Sequence, residues 1–284
     1  MKILRNRTLI LVSLIFLNII FFYFAYSNSG KLKVIFLDVG QGDAIFIQSP
    51  TGNQILVDSG NRVNILAKLG EVMPFFDRSL DAVLATHPDS DHIGGFPDVL
   101  KFYKVGEYFQ NGAIYDTATA KEVINNIGVR KIENITLCRG MVVDIGGGAY
   151  MEILWPLICN SDKKSSDTNT DSIVAKLVYG GNSILLTGDA PQKTEKALIS
   201  IDPLSLKSDI LKVGHHGSKN SSSEDFLRAV SSTDAVISVG LKNSYGHPSI
   251  EVVDQLKSIG EKISETSLLG NVLFYSDGIN LIKK

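Results

Sequence analysis

Thr86-His87-Pro88-Asp89-Ser90-Asp91-His92-Ile93-Gly94-Gly95 is the stretch whose chemistry stands out first. It follows Asp81–Ala85, a short apolar run that reads as a buried strand, so its polar residues occupy a turn at a strand end. His87, Asp89, Asp91 and His92 offer four potential metal ligands within six positions. Imidazole suits Zn, Mn and Fe, and carboxylates suit harder cations, so such a set can supply two adjacent metals. Gly94 and Gly95 then let the chain leave the site in tight packing. The plain alternative is a polar turn in which Asp89 or Asp91 caps the next helix. A cap explains one aspartate but not two histidines, in a chain that has five.

Upstream, Lys31–Leu37, Ala44–Gln48 and Gln54–Val57 read as strands, Val63–Glu71 as a helix, and Ile93–Lys104 as a helical spacing broken by Pro97. Downstream, strands are expected near Tyr150–Leu154, Ile173–Tyr179, Ser183–Leu186, Asp209–Val213 and Ala235–Ser238. Helices are expected over Gln192–Ser200, Ser223–Val230 and Ile250–Ile259. Asn160–Thr170 is polar and reads as an exposed loop. Hairpins mixed with strand-helix units mean α+β or α/β, with helices covering sheets.

Thr8–Tyr26 carries no charge and follows Lys2, Arg5 and Arg7. At about 1.5 Å per residue it reaches roughly 28 Å, near the thickness of a bilayer core. Residues 1–28 are therefore expected to form a transmembrane anchor, with a cleaved secretory signal ending near Ala25-Tyr26-Ser27 as the alternative. Residues 29–284 form the expected catalytic domain. Basic flanks stay cytoplasmic, so the domain should be extracytoplasmic, membrane-anchored or secreted. Setting the three N-terminal basic residues apart leaves 25 basic and 30 acidic ones, a net charge of −5. Bulk attraction to a polyanion is thereby excluded, and a nucleic acid would have to be held locally. Cys138 and Cys159 could pair outside the cell or remain two free thiols.

The central stretch resembles the metallo-β-lactamase signature H-x-H-x-D-H with Asp89 in place of its second histidine. This variant resembles the hydrolase domain of the ComEC competence family, which takes up DNA in bacteria. The resemblance runs through almost all of residues 31–284. It includes Phe36-Leu37-Asp38-Val39-Gly40-Gln41-Gly42-Asp43-Ala44, Leu56-Val57-Asp58-Ser59-Gly60, Leu186-Thr187-Gly188-Asp189, Leu211-Lys212-Val213-Gly214-His215-His216-Gly217-Ser218 and Asn243-Ser244-Tyr245-Gly246-His247-Pro248. It implies a four-layer αββα sandwich with a hydrolytic centre of two divalent ions, Zn or Mn, at one edge. It also implies that Asp189 bridges the ions, with His87, Asp89 and Asp189 on one and Asp91, His92, Asp189 and His216 on the other. Adjacent histidines diverge on an extended chain, so one of His215 and His216 is expected to ligate, and the resemblance selects His216. Family members carry a further histidine before the bridging aspartate, but none lies between Ile93 and Gly214. Asn169 or Asp171 stands near that position, which makes the site richer in oxygen and more suited to Mn²⁺.

Asp43 and Asp58 recur in the early motifs, Asp58 as an acceptor for a ligating histidine or as a turn former before Ser59-Gly60. Tyr245 and His247 are expected at the substrate, His247 as the proton donor to the leaving group or as an ordinary loop residue. Lys219 offers a cation beside His216. The implied reaction is attack by a hydroxide held between the metals and oriented by Asp91 on a phosphodiester, with extracellular DNA as the substrate. Hydrolysis of a phospholipid or cell-wall phosphocholine, and a non-catalytic binding module with structural metals, are the other readings. Retention of Asp91 beside His92 suits an open catalytic site better than a closed structural one.

Overall fold

The computed structural model describes residues 11–18, 30–159 and 167–284. The expected anchor Thr8–Tyr26 lies largely outside these residues, apart from helix at 11–18. No helix among the described residues is long and apolar enough to cross a membrane.

The strands in chain order are β1 (Leu32–Phe36), β2 (Ile45–Gln48), β3 (Gln54–Val57), β4 (Ser79–Leu84), β5 (Lys104–Gln110), β6 (Glu133–Thr136), β7 (Val142–Gly146), β8 (Ala149–Trp155), β9 (Val174–Tyr179), β10 (Asn182–Leu186), β11 (Ile210–Lys212), β12 (Asp234–Ile237), β13 (Lys262–Glu265), β14 (Val272–Ser276) and β15 (Leu281–Lys283). They form an eight-stranded sheet, β15-β14-β1-β2-β3-β4-β5-β6, and a seven-stranded sheet, β13-β12-β11-β10-β9-β8-β7. The helices are α1 (Ile65–Val72), α2 (Ser90–Ile93), α3 (Phe96–Phe102), α4 (Ala118–Arg130), α5 (Gln192–Ile201), α6 (Glu224–Val230), α7 (Ile250–Ser258) and α8 (Thr266–Leu269).

The period of two along each strand explains the layering. Val34 and Phe36 of β1, with Ile45 and Ile47 of β2, point between the sheets, where they meet Met151, Ile153, Leu177 and Ile184 of the other sheet. Ile35 and Phe46, one step out of phase, pack outward with Ile65, Leu69, Phe96 and Val123 of α1, α3 and α4. The second sheet does the same, with Leu185, Leu211 and Ile237 against Leu198, Phe226 and Leu256 of α5, α6 and α7. Apolar burial on both faces of both sheets requires four layers, and the α+β sandwich expected from the sequence results.

Two local expectations change. The helix read over Ile93–Lys104 is two short helices, α2 and α3, parted at Gly94-Gly95, and Pro97 sits in the first turn of α3, where its missing N–H costs nothing. Cys138 and Cys159 form a disulfide rather than two free thiols. β5, β6, β7 and α4 had no clear counterpart in the sequence reading, because each leaves many side chains in solvent, β6 and β7 as sheet edges, which blurs the periodicity.

Glu261, 7% exposed, precedes β13. Its Oε1 accepts from Ser232 Oγ at 2.7 Å, while Oε2 has no hydrogen-bond partner among the described residues. Burial, opposed by the Ser232 hydrogen bond and aided by Asp234, pushes its pKa from 4.5 up to about 7. The folded chain thus keeps a proton that the unfolded chain loses above pH 4.5. The linked stability is fully present below that value and is lost as pH rises through about 7. Glu261→Gln is neutral at every pH, so its melting temperature should exceed the parent's at pH 8 and lose this part of the pH slope. Thermal melts from pH 4 to 8 check this, and an unchanged slope contradicts it.

Candidate metal centre

The site lies where strands of both sheets end. The loop after β4 carries His87 and Asp89, and α2 carries Asp91 and His92. Asp189 follows β10, His215 and His216 follow β11, and Asp43 and Asp58 lie beyond β1 and β3. Backbone leaving a sheet edge has unpaired groups and free direction, so such ends can turn polar side chains toward one point.

Two glycines permit the approach. Gly42 has φ +120°, and a Cβ there would fall 2.0 Å from the Asp91 carbonyl oxygen, which accepts from Asp43 N at 3.1 Å. Gly188 has φ +49°, and a Cβ would meet Ser172 Oγ at 2.3 Å. That hydroxyl accepts from Asp189 N at 3.0 Å and so locks the aspartate after β10.

Four imidazoles surround the Asp189 carboxylate. His92 Nε2 is 3.2 Å from Oδ1, and the Nε2 atoms of His87, His215 and His216 lie 3.7, 3.6 and 3.7 Å from Oδ2. His216 Nε2 is also 3.3 Å from Asp91 Oδ2, and His87 Nε2 is 3.7 Å from Asp89 Oδ2. Donor atoms of His87, His92 and Asp189, and those of Asp91, His92 and His216, fall into sets no wider than 4.8 Å.

Hydrogen bonds on the far side of three rings decide their tautomers. The Asp58 carboxylate can only accept, so His92 Nδ1 donates to Oδ2 at 2.8 Å and Thr86 Oγ1 donates to the same oxygen at 2.7 Å. Thr86 Oγ1, its proton committed, accepts from His87 Nδ1 at 3.1 Å, and Ser172 Oγ stands 3.2 Å from the same nitrogen. His216 Nδ1 donates to the Ser238 carbonyl at 2.9 Å. In the neutral form each ring therefore turns a bare Nε2 inward, the form in which imidazole binds metal.

Those inward Nε2 atoms, with Asp189 Oδ1, are buried and lack any hydrogen-bond partner among the described residues. Unpaired buried polar atoms are costly, and four meeting around one carboxylate fit divalent cations well. Without cations, charge balances within the cluster. Burial opposes a charged His216, but Asp189 and Asp43 overcome it and raise its pKa to about 9. Burial also opposes the charge of Asp189, yet His92 and His216 hold its pKa well below the usual carboxylate range. Bound cations would take the place of those protons.

His215 and His216 do not diverge as an extended chain would require. Both have left-handed backbone, φ 48° and 53°, within a tight turn, and both rings face Asp189. Glu195 of α5 holds the segment that follows, accepting from Ser222 N and from Ser223 N and Oγ. His215 thus brings a further imidazole nitrogen to 3.6 Å from Asp189 Oδ2, from a position after the aspartate in the chain. Asn169 Nδ2 lies 3.5 Å from His215 Nδ1, whereas the Asp171 carbonyl accepts from Asn111 Nδ2 at 2.9 Å, away from the cluster.

A cleft of about 100 Å³ opens over the cluster, bounded by Gln41, Asp89, Asp91, Asp189, His215, His216, Tyr245 and His247. The His247 ring is 5.6 Å from that of His215, and its partial burial, with His216 and His215 nearby, lowers its pKa. Asn243 shapes the loop, its Oδ1 accepting from Tyr245 N and His247 N. Lys219 is exposed and does not line the cleft; its carbonyl accepts from Gln192 Nε2. Asp43 is buried away from the cleft, where it forms an ion pair with fully buried Lys212, Nζ to Oδ2 2.7 Å, and its Oδ1 lies 3.4 Å from His216 Nδ1. Sequence reading missed Thr86, Ser172 and Lys212. A lysine inside the apolar run of β11 was the one available signal.

Residues 37–111 match the metallo-beta-lactamase superfamily. The chain is 28% identical to ComE operon protein 3 of Bacillus subtilis over 90% of its own length and 34% of that protein's. It is 32% identical to competence protein ComA of Neisseria gonorrhoeae, covering 84% of this chain and 31% of the relative. It thus spans about a third of the length of these curated relatives. Among solved structures, the metallo-beta-lactamase fold protein YhfI from Bacillus subtilis superposes with TM-score 0.59 at 13% identity, covering 87% of this chain and 99% of YhfI. The chain thus has the metallo-β-lactamase fold and a His/Asp cluster able to hold divalent metal, with ComEC-like competence proteins among its curated relatives.

Proposed function

We propose that the chain is a phosphodiesterase that uses two divalent ions and acts on DNA outside the cytoplasm, held at a membrane by residues 8–26. The observation that carries this reading is the convergence of three bare, buried imidazole nitrogens and a shared carboxylate beneath an open cleft. His87, Asp89 and Asp189 would hold one ion, and Asp91, His92, His216 and Asp189 the other, with His215 as a further donor at the rim. When bound, the ions would supply Lewis acidity and a water acidic enough to serve as nucleophile near neutral pH. Asp91, partly exposed at the cleft, orients that water. Asp58, Thr86 and the Ser238 carbonyl keep the imidazoles turned inward. His247 faces the same cleft and donates a proton to the leaving oxygen. The similarity to competence proteins supports DNA as the substrate. The Cys138–Cys159 disulfide supports an oxidising compartment, in agreement with export of the domain.

The test is hydrolysis of linear, plasmid and single-stranded DNA, bis-p-nitrophenyl phosphate and a β-lactam, each with Mn²⁺, Zn²⁺ or chelator. Metal-dependent cleavage of DNA and the small phosphodiester is expected, with little β-lactam turnover. Raising salt from 50 to 200 mM should suppress DNA cleavage at least about tenfold more than that of the small substrate, because only the polymer releases condensed counterions. Metal-loaded protein that cleaves no phosphodiester overturns the proposal.

A further inference from the structure

The end of the eight-stranded sheet opposite the metal centre carries exposed aromatic side chains. β1, β3, β4 and β5 all start at that end, since Lys33 pairs with Gln48, Gln48 with Gln54, and Ser79 with Lys104 in strands that run toward the cluster. Just before β4, Pro74–Asp77 forms a turn closed by Asp77 N donating to the Pro74 carbonyl at 2.9 Å. Its central residues, Phe75 and Phe76, are 89% and 80% exposed. Just before β5, Phe102 is 53% exposed, and Lys104 N donates to the Arg78 carbonyl at 2.8 Å, so the two aromatic segments enter the sheet side by side. Turn backbone favours Gly, Asn, Asp and Ser, and gives no reason for two phenylalanines in water. Large apolar side chains exposed together mark an interaction surface. Cations surround them: Arg78, Lys101, Lys104, Arg130 and Lys131 are all exposed, with Arg130 Nη2 donating to the Lys101 carbonyl at 3.3 Å. The acid in their midst, Asp77, is already engaged by Gln54 Nε2 and by Ser79 N and Oγ. Asp81 and Glu133 lie further along their strands, toward the cluster.

We propose that this face rests on the surface of an anionic lipid bilayer, with Phe75 and Phe76 entering the headgroup region, and that the metal cleft therefore opens away from the membrane. This rests on the reading of residues 8–26 as an anchor and orients the domain upon it. Gly30 is fixed at the start of β1, at the same end as the phenylalanines, its N donating to the Pro50 carbonyl at 2.9 Å and its carbonyl accepting from Tyr179 Oη at 3.0 Å. From Tyr26 to Gly30 the chain reaches at most about 14 Å. So short a tether holds this end of the domain against the bilayer. Apolar rings framed by lysine and arginine suit the boundary between acyl chains and anionic headgroups. Each cation near such a surface strengthens binding by about fivefold. A nucleic acid held on this face would be at the wrong end for cleavage, because β4, Ser79–Leu84, puts about 17–20 Å between the face and the cluster. The same separation keeps phospholipids of the anchoring bilayer out of the cleft, so the substrate arrives from the aqueous side, as a soluble polymer does.

The test uses the full chain in vesicles of phosphatidylcholine mixed with phosphatidylglycerol, with brominated acyl chains to quench indole fluorescence on contact. Trp155, the chain's one tryptophan, ends β8 on the side of the metal centre and is the internal control. Phe75→Trp adds an indole at the tip of the exposed turn. Brominated lipid is expected to quench the added indole and to leave Trp155 unchanged. Adding Phe76→Ser, or Arg78→Glu together with Lys104→Glu, should lower the docked-to-undocked ratio about tenfold or more, through loss of one buried ring or of two cations. Quenching of Trp155, an added indole that stays bright, or equal quenching in vesicles without phosphatidylglycerol overturns the proposal. An oligonucleotide that shifts the added indole's emission where lipid does not assigns the face to nucleic acid and overturns it too. A chain that alkaline carbonate extracts from the vesicles, yet whose added indole they quench at neutral pH, refutes the anchor and supports the docking face on its own. Extraction without quenching refutes both.

Discussion

Asp189→Ala is expected to abolish metal loading and turnover together. One carboxylate stands among four imidazoles, its Oδ1 near His92 and its Oδ2 near His87, His215 and His216. Without it, the nitrogens lose the negative charge that lets two cations lie close together, and each proposed ligand set loses a member. Purified parent should carry two transition-metal ions per chain and the variant fewer than one. Hydrolysis of bis-p-nitrophenyl phosphate should fall by about 10³-fold or more. Elemental analysis and steady-state rates check both. The backbone at this position is held by Ser172 Oγ through Asp189 N, an interaction that alanine retains, so the fold should survive and the loss can be read as a loss of ligand. Full occupancy by two metals in the variant would show that this carboxylate is not shared.

Lys212→Met should be the most damaging single change away from the ligands. Lys212 is 0% exposed, donates to the Val213 carbonyl at 2.9 Å and meets Asp43 Oδ2 at 2.7 Å. Burial raises the carboxyl pKa of Asp43, but the ammonium outweighs it and, with His216, holds that pKa well below the ordinary range. Removing the cation leaves a buried carboxylate with no adequate partner, which typically costs about 3–5 kcal/mol. In a domain of this size the melting temperature should drop by about 10 °C. Asp43→Asn on top of Lys212→Met should restore a large part of that loss, because the uncompensated charge is then gone. Melting curves of the single and double variants form the cycle. A drop below about 1 kcal/mol in the single variant, or none recovered in the double, removes the charge pair as the cause. Since Asp43 also faces His216, metal affinity should weaken by about 10- to 100-fold in the same single variant.

The central motif was legible because its chemistry is local. His87, Asp89, Asp91 and His92 fall within six residues, and few roles besides metal binding call for two histidines and two aspartates on one turn after a strand. Asp189 could be singled out because it follows an apolar strand through a glycine-containing turn, whereas the choice of His216 over His215 came from the resemblance. The role of Asp58 was half legible. A carboxylate before Ser59-Gly60 suits a turn as well as a hydrogen bond to His92, and only its 2.8 Å distance to Nδ1 decides between them. The expected divergence of His215 and His216 does not arise, because alternation of side chains holds on extended backbone and both histidines are left-handed, yet only His216 falls within the compact donor sets. Lys219 looked useful by its neighbourhood in sequence, but it sits on the outer side of the turn whose inner side holds His216.

By itself, the sequence determined many of the inner elements, the period-two strands that demand cover on both faces, the kinds of ligand atom present and the order in which they arrive. These follow from residue type and spacing over a few positions. The tertiary structure alone decided which atoms meet: Ser172 on His87 across 85 residues, Lys212 under Asp43, and the disulfide between Cys138 and Cys159. Contacts of that range depend on how two sheets pack and on single torsions such as those at Gly42 and His215. No local pattern encodes these, because each arises from many distant side chains filling one volume at once.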